Sequence, residues 1–223
     1  MLFTLSNTKT QKGEAQGWLT AILHLAPADE AGGRSVCPKS TPQCRELCLN
    51  TAGRGAMGTV QKARRRKTLE YLAHPRIFAW RLVDEVTRLE IRAEERGQRL
   101  AVRINGTSDL PALARMVAEH TSARFYDYTK IPGVWLRTKD IHYTFSHSES
   151  NERECLGALR TGINVAVVFS TKKGEPLPEH WKHWPVLDGD VNDLRFLDPP
   201  GHVVGLRAKG RARRHSGGFV VTV

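Results

Sequence analysis

Short apolar runs alternate with longer stretches of helical spacing along most of the chain, and that alternation predicts an α/β fold. The run 17–27, GWLTAILHLAP, reads as a first strand. The runs 100–106, 123–130, 140–148 and 163–170 read as the next four. INVAVVFS, 163–170, has the continuous apolar character of a buried parallel strand. Segments 184–190 and 202–210 read as further short strands, and the tail GGFVVTV as a closing strand. A helical region spans about Met57 to Arg96, broken near His74–Pro75 because a proline disfavours helix in the residue before it. Beyond the break Phe78, Leu82, Val86, Leu89 and Ile91 recur at helical spacing. LPALARMVAEH is a helix with Ser108 or Asp109 as N-cap and Pro111 in its first turn. SNERECLGALRTG is another, with Gly162 as C-cap.

Alternating strands and helices imply a parallel sheet with right-handed crossovers. The expected architecture is a single domain over residues 1–223, a partial or small (β/α) barrel with parallel strands. A doubly wound open sheet is the alternative. No G-x-G-x-x-G follows the first strand, which argues against a dinucleotide-binding fold.

Almost every predicted strand ends in a polar burst: Asn105–Asp109, Asp127–Lys130, Ser146–Glu149, Ser170–Lys172, Asp188–Asp190, then Arg207 and Lys209. In α/β barrels the carboxyl ends of the strands share one face, where chemistry sits. The candidate acids and bases there are Asp127, Lys130, His147 and Lys209. Asn105, Asp109 and Asp190 are candidate cofactor contacts. Asp109 also suits a helix cap, and Asp188 and Asp190 a turn. Asp193 is a further acid near a strand end. Tyr126 and Tyr128 alternate with Asp127 and should face the other way. Trp181, His183 and Trp184 look like a loop packed over the domain.

The first strand leads into VCPKSTPQCRELCLN, with spacing C-x6-C-x3-C. If CRELC opens a helix, Cys44 and Cys48 share a side, and the Pro38–Pro42 loop brings Cys37 to them. Clustered thiols in a reducing compartment argue for metal over disulfide. Soft thiolates suit zinc or an iron–sulfur cluster. Zinc usually pairs cysteines as C-x2-C and closes with four ligands. Three thiolates with an open position suit a [4Fe-4S] cluster better. Cys155, within SNERECLGALR, shares a face with Leu156 and Leu159 and reads as core. Gly53, Gly55 and Gly58 either allow close approach to a ligand or form the turn by which the chain leaves the cysteines.

The order VCPKSTPQCRELCLNTAGRG, RINGTSDLP, RFYDYTK, YTFSHSESN, NVAVVFS, DGDVNDLRFLDP and VVGLRAKG resembles a family of tailed-bacteriophage gene products known from mycobacteriophages. The resemblance covers most of the chain and implies a protein made in the cytoplasm of an infected bacterium. More distantly, the architecture resembles radical S-adenosylmethionine enzymes, which carry three cysteines after the first strand of a partial barrel. That likeness implies a [4Fe-4S] cluster whose free iron binds S-adenosylmethionine. The spacing differs from the usual C-x3-C-x2-C, and Leu47 stands where an aromatic residue is usual.

Charge adds a second reading. Lys and Arg number 34 against 23 Asp and Glu, a net charge of +11 concentrated in Lys62, Arg64–Lys67 and in Arg207, Lys209, Arg211, Arg213 and Arg214. Such clusters attract polyanions or are simply solvated faces. With 40% apolar residues and no apolar run long enough to span a bilayer, the composition is that of a soluble globular protein without a membrane segment. The N-terminus lacks the pattern of a secretory signal, which again points to the cytoplasm. Two functions therefore stand: a redox or radical-type iron–sulfur enzyme, or a non-catalytic iron–sulfur or zinc protein that binds nucleic acid or a host factor.

Overall fold

The computed structural model describes residues 1–6, 8–138, 140–215 and 217–223, with only the backbone at residues 8 and 9. Its elements are β1 (Phe3–Thr4), α1 (Thr8–Glu14), β2 (Trp18–Leu23), α2 (Pro42–Glu46), α3 (Gly58–Ala73), α4 (Pro75–Glu94), β3 (Arg99–Arg103) and α5 (Pro111–Ala118). There follow β4 (Arg124–Thr129), β5 (Ile141–Ser146), α6 (Glu152–Arg160), β6 (Val165–Phe169), β7 (His180–Trp181), β8 (Trp184–Asp188), β9 (Val203–Arg207) and β10 (Val220–Val221). The predicted strands all appear, each ending earlier than predicted. The two-residue strands β1 and β7 and helix α1 carry too little pattern to be read from sequence.

The fold is a mixed α/β architecture on one ten-stranded, mostly parallel sheet in the order β1-β2-β3-β4-β5-β6-β9-β8-β7. The parallel run β2 to β6 follows chain order, without the reversal that marks a doubly wound sheet. Among the described residues no pairing joins β1 to β7, so strand pairing does not close a barrel. β10 is not a closing strand. β6 pairs with β5 at Val165 and Ala166 and with β10 at Val168 and Val221's partner Phe169, so β10 takes over from β5 along one edge of β6.

Register sorts the side chains. Ala21, Val102, Phe125, Ile141, Tyr143, Phe145 and Val165 align on one face. Helices α4 and α5 bury Phe78, Leu82, Val86, Leu113 and Val117 against it, and α6 buries Cys155, Ala158 and Leu159. The α4 stripe runs Phe78–Leu82–Val86–Leu89–Ala93. Ile91, two residues past Leu89, falls on the far side and is exposed, contrary to the sequence reading. Removing the fully buried Phe78 ring would cost about 3–5 kcal/mol. The break between α3 and α4 falls at His74, with Pro75 in the first turn of α4.

The opposite face is polar inside. Arg103 pairs with Asp193 at 2.9 Å and lies over the Tyr128 ring at 4.4 Å. Fully buried Arg195 pairs with Asp198 at 3.1 Å, off hydrogen-bond alignment. Both carboxylates belong to the segment through the turn Arg195–Leu197, whose Phe196 packs edge-on to Trp18 and Tyr126. Tyr126 and Tyr128 thus face this segment while Asp127 faces the helices, as alternation requires. Asp193 is accordingly a partner of Arg103 on this face. Among the described residues, no helix is long and apolar enough to cross a membrane.

Candidate metal centre

The loop after β2 carries the three cysteines and is fastened to the carboxyl ends of other strands. The Asp109 amide donates to the Val36 carbonyl at 2.9 Å, and the Thr107 hydroxyl to the Leu25 carbonyl at 2.6 Å. Glu149, just past β5, accepts the Thr41 hydroxyl at 2.7 Å and the Gln43 amide at 3.0 Å. Gln43 accepts the Phe219 amide at 2.9 Å. The loop therefore bridges the ends of β2, β3 and β5 and the start of β10.

Within it, Thr41 caps α2 by accepting the Cys44 amide at 3.3 Å, with Pro42 in the first turn. α2 ends at Glu46, so Cys48 lies outside it, at the entrance to the turn Leu49–Thr51. The expected single helix turn carrying both sulfurs is not formed. Cys37 sits beneath the loop. Its sulfur accepts the Ala28 amide at 3.3 Å and donates to the Thr107 carbonyl at 3.7 Å. Ala28 holds a left-handed φ of 49°, a conformation that L-residues other than glycine, Asn and Asp seldom adopt, while its own carbonyl accepts the Val36 amide.

Burial pushes the Cys37 thiol up to about 12, and the nearby Cys48, Asp109 and Cys44 push in the same direction. Burial also raises Cys48, again with Cys44 and Glu30 adding to it and Lys130 opposing. The three thiols therefore lie within electrostatic reach of one another. They do not form a finished ligand set: among the described residues, no group of three His, Cys, Asp or Glu side chains is arranged to hold a metal ion. Cys155 is fully buried in the core beneath α6, as its sequence context predicts.

The polar strand ends divide into two classes. Asn105 and Asp127 are occupied with each other. Asp127 accepts the Asn105 amide at 2.8 Å and its side-chain nitrogen at 3.0 Å, and Asn105 Oδ1 accepts Ser108 and Leu110. Burial raises the Asp127 carboxyl to about 7, against the pull of Arg103 and these hydrogen bonds. Asp109 does not cap α5, whose N-cap position is Leu110, with no side-chain cap among the described residues. It instead accepts the Thr129 hydroxyl at 2.9 Å and the Lys130 amide at 2.8 Å, which ties β3 to β4. Asp190 and Lys209 form an ion pair, and Asp190 also holds Arg207. Lys209 is thereby engaged with Asp190 on an exposed edge.

Lys130 and His147 remain, just past the carboxyl ends of β4 and β5. Lys130 is half-buried, lies 5.6 Å from the Phe219 ring centroid, and acts electrostatically on Cys48, Asp109, His147 and Glu149. His147 is buried, its Nδ1 has no hydrogen-bond partner among the described residues, and its ring meets Trp181 edge-on at 5.3 Å. Burial pushes it down to about 4, so the imidazole is neutral near pH 7. Trp181 is core, paired through the β7–β8 hairpin, which agrees with the packing role read for that loop.

Gly53 has a left-handed φ of 52°. A Cβ on Gly55 would lie 2.9 Å from the Leu49 carbonyl and 3.0 Å from that of Asn50. The close approach at Gly55 is thus to the chain itself, and Gly53 and Gly55 lie in the turn by which the chain leaves the cysteines. Arg64, read only as part of a basic cluster, turns inward to Asn50 and lies within electrostatic reach of Cys48. Its sequence signal was hidden among neighbouring arginines. Glu149, the residue that fixes α2, carried no signal beyond its place after a strand.

No curated protein and no solved structure matches the chain. A family model does, over residues 1–222, in keeping with the phage-type resemblance of its motifs, and by that match the chain belongs to the Gene product 88 family.

Proposed function

We propose that the loop holds a redox-active iron–sulfur cluster on Cys37, Cys44 and Cys48, and that the protein is a phage-encoded redox or radical-type enzyme. The observation that carries this reading is the placement of three thiols, in mutual electrostatic reach, on a loop sewn to the carboxyl ends of the parallel strands. One zinc ion takes about four donors at close range, and among the described residues no group of three or more His, Cys, Asp or Glu side chains is gathered to hold a metal ion. A cluster spreads its thiolates over several irons and suits a wider arrangement of donors. Chain-order strands with α4, α5 and α6 on one face are also the plan of a partial (β/α) barrel.

When bound, such a cluster supplies one-electron transfer. The chain's own contributions follow from the geometry. The Ala28 amide directs a hydrogen bond at the Cys37 sulfur, a contact that favours thiolate over thiol. Arg64 and Lys130 place positive charge near Cys48, offsetting the charge of deprotonated sulfur. Lys130 and neutral His147 form the polar wall on which a substrate would rest. Asn105, Asp109 and Asp127 hold that wall in place through their own hydrogen bonds.

The test is electron paramagnetic resonance of anaerobically reconstituted, reduced protein. A cluster signal that disappears in Cys48→Ala supports the reading. A change in that signal on adding S-adenosylmethionine marks the radical type, and an unchanged signal marks simple electron transfer. Absence of any cluster signal after reconstitution sinks both.

A further inference from the structure

Two stretches of the chain contain no acidic residue: 47–69, with Arg54, Lys62, Arg64, Arg65, Arg66 and Lys67, and 199–223, with Arg207, Lys209, Arg211, Arg213 and Arg214. They are far apart in sequence but meet in the fold. A Cβ on Gly210 would lie 2.8 Å from the Ala52 side chain, and Leu47 shares a buried cluster with Ala208 and Ala212. The turns Leu49–Thr51 and Gly53–Ala56, which lead from Cys48 into α3, therefore pack against the turn Gly210–Arg214.

Four of these cations serve the fold. Arg64 turns to Asn50, and Lys67 donates to the Leu2 carbonyl at 2.9 Å. Arg207 binds Asp188 and Asp190, and Lys209 binds Asp190. The other seven, Arg54, Lys62, Arg65, Arg66, Arg211, Arg213 and Arg214, are exposed. Among the described residues none of them has an ion-pair partner. Elsewhere on the surface exposed cations do find carboxylates: Arg45 with Asp29, Arg88 with Asp84, Arg115 with Glu119 and Lys182 with Glu152. Leu49 and Met57, on the same turns, expose apolar side chains amid the charge.

We propose that these seven residues form a docking surface for the phosphodiester backbone of a nucleic acid, placed beside the cysteine loop. Six are arginines, whose planar fork matches phosphate oxygens better than a lysine ammonium does. The surface draws on two acid-free stretches, so neither contributes an acidic side chain that would repel phosphate. Exposed Leu49 and Met57 give apolar contact for bases or sugars between the charges. The contacts are to backbone, so sequence preference is weak and salt dependence strong. The surface exists whether or not a cluster is held.

Fluorescence anisotropy tests it, with labelled single-stranded DNA, RNA of the same sequence and duplex DNA titrated against the full chain. Binding to at least one of them is expected at low salt, weakening steeply as salt rises, with each phosphate contact adding about −0.9 to the logarithmic slope for duplex and about −0.7 for single strands. The triple variants K62A/R65A/R66A and R211A/R213A/R214A each lose at least about tenfold in affinity, with unchanged circular-dichroism melting. R92A/R96A, exposed near the end of α4, stays within about twofold of the parent. Failure to bind any of the three at low salt overturns the proposal. So does binding that both triple variants retain, equal loss in R92A/R96A, or capture by phosphatidylglycerol vesicles in place of nucleic acid.

Discussion

Glu149 accepts the Thr41 hydroxyl at 2.7 Å, a contact between residues 108 apart in sequence that fixes the cysteine helix to the end of β5. The same carboxylate takes the Gln43 amide, so it serves the exposed amino end of α2 alongside the Thr41 cap. A five-residue helix cannot hold its shape alone, because nucleating a turn is unfavourable. The position of Cys44 thus depends on a residue from the sheet.

Glu149→Gln should therefore loosen α2. Burial pushes the carboxyl up, but the Thr41 and Gln43 hydrogen bonds and Lys130 outweigh it, and the group titrates below its ordinary range. Losing those charge-assisted bonds should cost about 1 kcal/mol. The direct readout is Cys44: in a C37A/C48A/C155A background its reaction with a disulfide reagent should speed up when Glu149→Gln is added. An unchanged rate would show that Thr41 alone sets the helix.

Asp193 should prove a stability residue. It pairs with Arg103 beneath the segment 189–200, and both side chains are almost wholly buried. Asp193→Asn leaves the guanidinium without its counter-charge and should cost about 3–5 kcal/mol in denaturant melts. A loss below about 1 kcal/mol, the range of exposed pairs, would mean that water reaches the pair.

His147 gives a pH signature. Burial lowers its pKa to about 4 from an ordinary value of 6.5, so the folded chain keeps the ring neutral where the unfolded chain takes a proton. Its contribution is present above pH 6.5 and is lost as pH falls toward 4. Against His147→Gln, the parent should lose about 3 kcal/mol of relative stability between about pH 7 and pH 4. A flat difference across that window would place the imidazole in contact with water.

Much of the frame was legible because buried strands and amphipathic helices must carry apolar residues at fixed spacing. The runs around Ala21, Val102, Phe125, Phe145 and Val165 became successive neighbouring strands, and Pro75 marked the helix break. The convergence of polar strand ends on the cysteine loop was also legible, since parallel strands share one carboxyl edge. What each polar residue does there was not. Asp109 reads locally as a helix cap, yet its partners Thr129 and Lys130 lie about 20 residues on, across a strand pair. Asp190 and Lys209 read as separate site residues, and the fold pairs them with each other. Arg195 carries no sequence signal of its own, and only the packed segment shows it to be fully buried. Partners chosen by tertiary packing leave no periodic trace in sequence.

The most direct test of the central claim is iron and acid-labile sulfide per chain in protein purified without oxygen. The account predicts about four of each, lost when Cys37, Cys44 or Cys48 is replaced by Ala and retained in Cys155→Ala, whose thiol lies in the core beneath α6. Stoichiometric zinc without sulfide, or iron that persists in the Cys48→Ala protein, would contradict it.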